Sequence, residues 1–176
     1  MPEGGGRADG GRGPALGRLD LGQAEWRSGE RPSPMTFGVG ADSLSFAAMI
    51  CFESCFDRLS RHAARTGAEM LVNITNDGWF GFTAGPIQHA EMARLRAAET
   101  GLPLVRCANN GLSFITDARG AVLDRAELGE RRVVIAEVRP GTGRTTFVRY
   151  GHRPLIVLLL VWTLGVVASV VRSRRG

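Results

Sequence analysis

At 176 residues, 44% of them hydrophobic, with a formal net charge of +5, the chain has room for one folded domain and one further apolar segment. Arginine supplies all the positive charge, since the sequence contains no lysine, and no basic block is interleaved with aromatics, which excludes nucleic acid as an expected partner. The 3 cysteines are odd in number and fit neither a zinc spacing nor a redox C-x-x-C, so no disulfide framework, no metal site and no cofactor is expected.

Residues 1–34 are rich in Gly, Arg and Pro and lack hydrophobic periodicity. Such a composition cannot bury enough apolar surface to offset chain entropy, so this segment is expected to be disordered or not authentic to the domain. No apolar stretch follows Met1, and no signal peptide is expected there. The character changes near residue 35. Residues 44–50 form a short apolar run that reads as a buried strand ending at Cys51. Ser54 and Asp57 fit a capping box for a following helix, with Phe56, Leu59 and Ala63 at helical spacing and Gly67 as its C-cap.

The pattern repeats downstream. Residues 69–75 read as a second strand and 76–85 as a loop. Pro86 fits the first turn of a helix reaching about Thr100, on which Ala90, Ala93 and Ala97 make a small-residue stripe and Glu91 and Arg94 an i,i+3 pair. Runs at 104–108 and 112–116, joined by Asn109-Asn110-Gly111, predict a hairpin. A turn follows at 117–120, and 133–138 reads as the last strand. Strand-helix-strand-helix followed by hairpins predicts an α/β sheet with an antiparallel portion. Residues 155–171 carry no charge over 17 positions, the lower edge of what spans a bilayer. Pro154 ahead and Arg172, Arg174 and Arg175 behind predict a transmembrane helix over 154–171 with a basic tail at 172–176 facing the cytoplasm.

Cys51 is the candidate nucleophile, because a cysteine between a strand end and a helix N-terminus meets free backbone N–H groups that favour a thiolate and could cradle an oxyanion. Glu53, two residues on, could orient an amine, tune the thiol or serve only as a first-turn carboxylate. Asn76, Asp77, Trp79 and Phe80 form a polar-then-aromatic loop at a strand end, where α/β folds place pocket walls, although Asn-Asp-Gly is also ordinary turn chemistry. His89, alone on its helix, reads as structural, and Cys55 and Cys107 as inert thiols inside a helix and a strand. The Asn73-Ile74-Thr75 sequon lies in a predicted buried strand and is discounted.

Taken together, Ile50-Cys51-Phe52-Glu53, the block from Leu71 to Gly81 around Asn76-Asp77-Gly78-Trp79-Phe80, the stretch Pro86-Ile87-Gln88-His89-Ala90-Glu91-Met92-Ala93-Arg94, and Leu104-Val105-Arg106-Cys107-Ala108-Asn109-Asn110-Gly111 closely resemble the apolipoprotein N-acyltransferases, membrane members of the nitrilase (carbon–nitrogen hydrolase) superfamily. The resemblance runs from about Thr36 to the end. It implies an α/β fold: a partial αββα sandwich over residues 35–148 followed by one C-terminal transmembrane helix. It implies transfer of a fatty acyl chain from a phospholipid donor to the free amine of a diacylglyceryl-lipoprotein acceptor, through a thioester on Cys51 with Glu53 also required, and a place in the bacterial inner membrane with the catalytic domain on the periplasmic side. Phe52 stands where many members carry tyrosine, and Asn110 where threonine is usual. The family's general-base glutamate and oxyanion lysine lie upstream of the cysteine, and nothing here matches their segment. The chain therefore reads as a C-terminal fragment, expected to be inactive alone. A soluble-type amidase and a non-catalytic membrane-tethered remnant are the alternatives, and half a sandwich predicts an uncovered apolar sheet face.

Overall fold

The structure, a computed structural model, describes residues 33–39 and 42–174. The expectation for the Gly/Arg/Pro-rich segment therefore lies, but for its last two residues, outside the described ones, as does the end of the basic tail. Six strands form one mixed sheet in chain order: β1 (Met35–Val39), β2 (Asp42–Ile50), β3 (Met70–Asn76), β4 (Leu104–Asn109), β5 (Ser113–Thr116) and β6 (Val122–Ala126). The three central strands β2, β3 and β4 run parallel, and β1, β5 and β6 join them antiparallel. The parallel pairs need crossovers, which α1 (Asp57–Arg65) and α2 (Gly85–Thr100) supply.

Alternation along the strands decides which face is covered. Ala47 and Met49 of β2, Leu71 of β3, Leu104 of β4 and Phe114 of β5 are buried with Ala63 and Ala64 of α1 and Ala90, Ala93 and Ala97 of α2. The predicted alanine stripe on α2 is thus its buried face, and small side chains on both sides let helix and sheet approach closely. Burying a leucine such as Leu71 or Leu104 stabilises the fold by about 1.5–3 kcal/mol. On the opposite face Ile50, Ile74 and Cys107 stand in one register row across β2, β3 and β4, and all three are exposed. The expected bare apolar sheet face is present, and Cys107 belongs to it rather than to a buried interior.

Several expectations are corrected. No strand forms over 133–138; Val133 and Ile135 are exposed, and the Ile135 N–H donates to the Asp124 carboxylate at 3.2 Å instead of to a ladder. The antiparallel edge is β6, whose sequence shows little apolar alternation. Strand β1, with Met35, Phe37 and Val39 alternating, was not anticipated either. The capping box at Ser54 is absent. Cys51–Cys55 is instead a 3-10 turn, Glu53 accepts the Ile50 N–H at 2.7 Å, and α1 begins only at Asp57 after Phe56, which is exposed rather than in the core. A five-residue 3-10 turn carries little of the dipole expected beside Cys51.

After the 127–145 segment, the short helix α3 (Thr146–Tyr150) is capped by the Thr145 hydroxyl, which accepts the Val148 N–H at 3.1 Å. Helix α4 (Arg153–Ser173) follows, one residue earlier and two later than predicted. Both α3 and the base of α4 are tied to α1: Arg61 donates to the α3 carbonyls of Phe147 and Val148, and Asp57 meets His152, just ahead of α4, at 2.7 Å. Every described side chain over residues 155–170 is exposed. Among the described residues no helix is long and apolar enough to cross a membrane. The uncharged stretch of 17 residues in α4 rises about 25 Å at 1.5 Å per residue, short of the roughly 30 Å hydrocarbon core.

Candidate active site

Strand β2 delivers Cys51 to the C-terminal edge of the parallel strands, where open α/β sheets hold their sites. Cys51 is half-buried and adopts φ +51°, a left-handed conformation that costs a residue with a Cβ about 1–2 kcal/mol. Polar donors converge on its carbonyl. Ser54 Oγ donates to it at 3.1 Å and Asn73 Nδ2 at 3.3 Å, and His89 Nε2 lies 3.3 Å away.

Behind that carbonyl is a buried polar network. His89 Nδ1 is 2.9 Å from Asp77 Oδ1, and the other Asp77 oxygen takes the Arg106 guanidinium at 2.7 Å. Arg106 also donates to the Asn73 side chain and to the Leu112 carbonyl, while Asn73 Nδ2 donates to the Met49 carbonyl at 2.9 Å. The Arg106 and Asp77 side chains are both 0% exposed, so neither charge could be sustained there without the other. Burial pulls the guanidinium below its ordinary value, and the adjacent Asp77 carboxylate opposes the shift. Burial likewise raises the Cys55 thiol, against the pull of Arg106 and Arg96.

The predicted site residues divide. Cys51, Phe52, Asp77 and Phe80 come together, with the Phe52 and Phe80 rings 6.0 and 6.1 Å from the His89 ring. Phe52 also packs edge-on against Phe56 at 5.6 Å. Asp77 is not a pocket wall; it points inward to His89 and Arg106. Glu53 is engaged with the Ile50 N–H and Asn76 with the Gly78 N–H. Trp79 is 86% exposed, as is Phe82, so the loop presents bare rings to its surroundings. Asn110, in the hairpin turn, has φ +59°, a conformation that asparagine tolerates far better than β-branched threonine.

Sequence reasoning missed Ser54, Asn73 and Arg106 and gave His89 no functional part. A signal existed: Asn73 and Arg106 sit at core-facing positions of adjacent strands and are register partners. Two polar groups facing one another inside a sheet require partners. Cys55 ends the 3-10 turn rather than lying in the helix.

A family profile described as carbon-nitrogen hydrolase matches residues 20–146, most of the chain, starting upstream of Thr36. The chain belongs to the carbon-nitrogen hydrolase family. It is 38% identical over 138 residues to an apolipoprotein N-acyltransferase of Geobacter metallireducens, covering 78% of this chain and 26% of that protein. A protein of the same name from Bdellovibrio bacteriovorus is 39% identical over 153 residues, covering 84% and 28%. The chain thus spans about a quarter of the length of these relatives. A solved carbon-nitrogen hydrolase of Helicobacter pylori shares the fold, with TM-score 0.54 and 21% identity over 69% of this chain and 47% of that one.

Proposed function

We propose that the chain is the nucleophile-bearing segment of an apolipoprotein N-acyltransferase, with Cys51 as acyl carrier. One observation carries this reading: Cys51 stands at the strand edge in a left-handed turn whose carbonyl is held by Ser54 and Asn73 and approached by His89, whose ring Phe52 and Phe80 flank. In the first half-reaction the Cys51 sulfur attacks the ester carbonyl of a phospholipid. The C–S bond forms, the ester C–O bond breaks, and the lysophospholipid oxygen takes up the thiol proton. In the second the free amine of a diacylglyceryl-cysteine attacks the thioester, the C–N bond forms, the C–S bond breaks and the amine proton returns to sulfur. The exposed Phe52 ring, next to Cys51 in the chain, suits a lipid donor.

The 176 residues alone are inactive in this reading. A lysine that would stabilise the oxyanion does not occur in the sequence, and Arg106, the cationic group of the network, is committed to Asp77, Asn73 and the Leu112 carbonyl. Arginine also does not readily give up a proton. Glu53, bonded to the Ile50 N–H, stays near Cys51 as a substrate-orienting carboxylate. Helix α4, uncharged over residues 155–171 and closed by arginines, anchors the chain in the inner membrane with the sheet on the periplasmic side; at about 25 Å of uncharged length it demands local thinning of the bilayer or snorkelling of its flanking arginines. The test is acyl transfer from phospholipid micelles to a diacylglyceryl peptide by the purified chain. No turnover is expected; clear turnover lost in Cys51→Ala would overturn the claim of inactivity.

A further inference from the structure

We infer that His89 is a positioning residue for Cys51, an inference that rests on the nucleophile reading above. The imidazole does not aim at the thiol. Its Nε2 lies 3.3 Å from the Cys51 carbonyl oxygen and 3.3 Å from Ser54 Oγ, and its Nδ1 faces Asp77 at 2.9 Å. Asp77 is fixed in turn by Arg106 at 2.7 Å and by the Thr75 hydroxyl at 3.1 Å. Asn73 ties the far end of Arg106 back to the same strand exit, donating to the carbonyls of Met49 and Cys51. The network is therefore closed, beginning and ending on the peptide unit of Cys51.

Such a closure has a mechanical consequence. A residue with a Cβ at φ +51° relaxes to the right-handed or extended region unless its peptide planes are held. Holding the carbonyl of Cys51 fixes the plane between Cys51 and Phe52, and with it the direction of the Cys51 Cα–Cβ bond from which the sulfur hangs. Ser54 donates its proton to the Cys51 carbonyl, and the ring bridges these two groups at Nε2 to Asp77 and Arg106 at Nδ1, its donor and acceptor roles following its tautomer. His89 is itself 3% exposed and flanked by Phe52 and Phe80, so solvent does not substitute for it. Its role is to aim the nucleophile, distinct from a proton-transfer role at sulfur.

The experiment is peptide-resolved alkylation of the full chain by iodoacetamide across pH 6–9, in detergent, with exposed Cys107 as internal reference. The unmodified chain should alkylate at Cys51 faster than at Cys107. His89→Ala should slow Cys51 by about fivefold or more while leaving Cys107 unchanged. His89→Gln, whose amide offers both a donor and an acceptor in the place of the ring, should recover most of the rate. Ser54→Ala, a smaller change to the same clamp, should slow Cys51 by a lesser factor and decides the matter if His89→Ala does not fold. A Cys51 rate no higher than that of Cys107 in the unmodified chain would remove the nucleophile reading and this inference with it. A fast Cys51 left unaltered by the folded variants, or slowed in equal proportion with Cys107, overturns the positioning role alone.

Discussion

Replacing Arg106 by alanine isolates what the buried network contributes. The substitution removes the charge that neutralises Asp77 at 2.7 Å and the donor to the Asn73 side chain and the Leu112 carbonyl, and leaves the Asp77 carboxylate, among the described residues, with Thr75 and His89. Both side chains of the pair are 0% exposed, so the stranded carboxylate cannot turn to water. Breaking one side of a buried pair costs about 3–5 kcal/mol, a large part of the roughly 5–15 kcal/mol that stabilises a domain. Arg125 is the control, since its contact with Glu127 is made between side chains that are 59% and 55% exposed and should be worth only about 0–1 kcal/mol. Urea unfolding in mild detergent, followed by far-ultraviolet circular dichroism, measures both. In the double variant Asp77→Ala/Arg106→Ala the loss should be less than the sum of the single losses, because no charge is left alone. A loss for Arg106→Ala under about 1 kcal/mol, matching Arg125→Ala, would refute the reasoning.

Gly111→Ala should weaken the same pair from the other side: a Cβ there would fall 2.8 Å from Asp77 Cβ and closer still to its carboxylate, so a loss of about 1–3 kcal/mol by the same urea assay is expected. Asp124 is held below the ordinary carboxylate range first by the Ile135 N–H, then by the Arg125 N–H and the Arg132 guanidinium. A carboxyl lowered in the folded state contributes stability above its unfolded value and loses it as pH falls through the folded one. The Ile135 amide resonance should therefore titrate below the ordinary carboxylate range, and Asp124→Asn should abolish that titration. Helix α4 should carry the chain with phospholipid vesicles on flotation and resist carbonate extraction, and Leu158→Asp with Val161→Asp should release it. Carbonate-extractable behaviour of the unmodified chain would favour the soluble amidase reading.

What the sequence made legible followed from strong local signals. The apolar run ending at Cys51, the alanine stripe of α2 and the Asn110-Gly111 turn were each readable because side-chain period and turn chemistry are local properties. Strand 133–138 failed for a complementary reason: a short apolar run looks the same in a segment with a ladder partner and in one without, and Ile135 found the Asp124 carboxylate instead. The capping box failed because Glu53 reached the Ile50 N–H first and turned Ser54 inward. His89 and Arg106 were passed over singly because each belongs to a different element. Only the fold brings an α2 side chain and a β4 side chain to the two oxygens of Asp77. Chain spacing carries no trace of that convergence.

The most direct test of the central claim joins this chain behind the upstream portion of an apolipoprotein N-acyltransferase and looks for acyl transfer to Cys51 in phospholipid membranes. Peptide mass spectrometry should find a hydroxylamine-labile fatty acyl mass on the Cys51 peptide, absent in Cys51→Ala, with the donor protein's native chain run in parallel as the reference. Acylation of the native chain with none on Cys51, or with the acyl group on Cys55 or Cys107, would contradict the account.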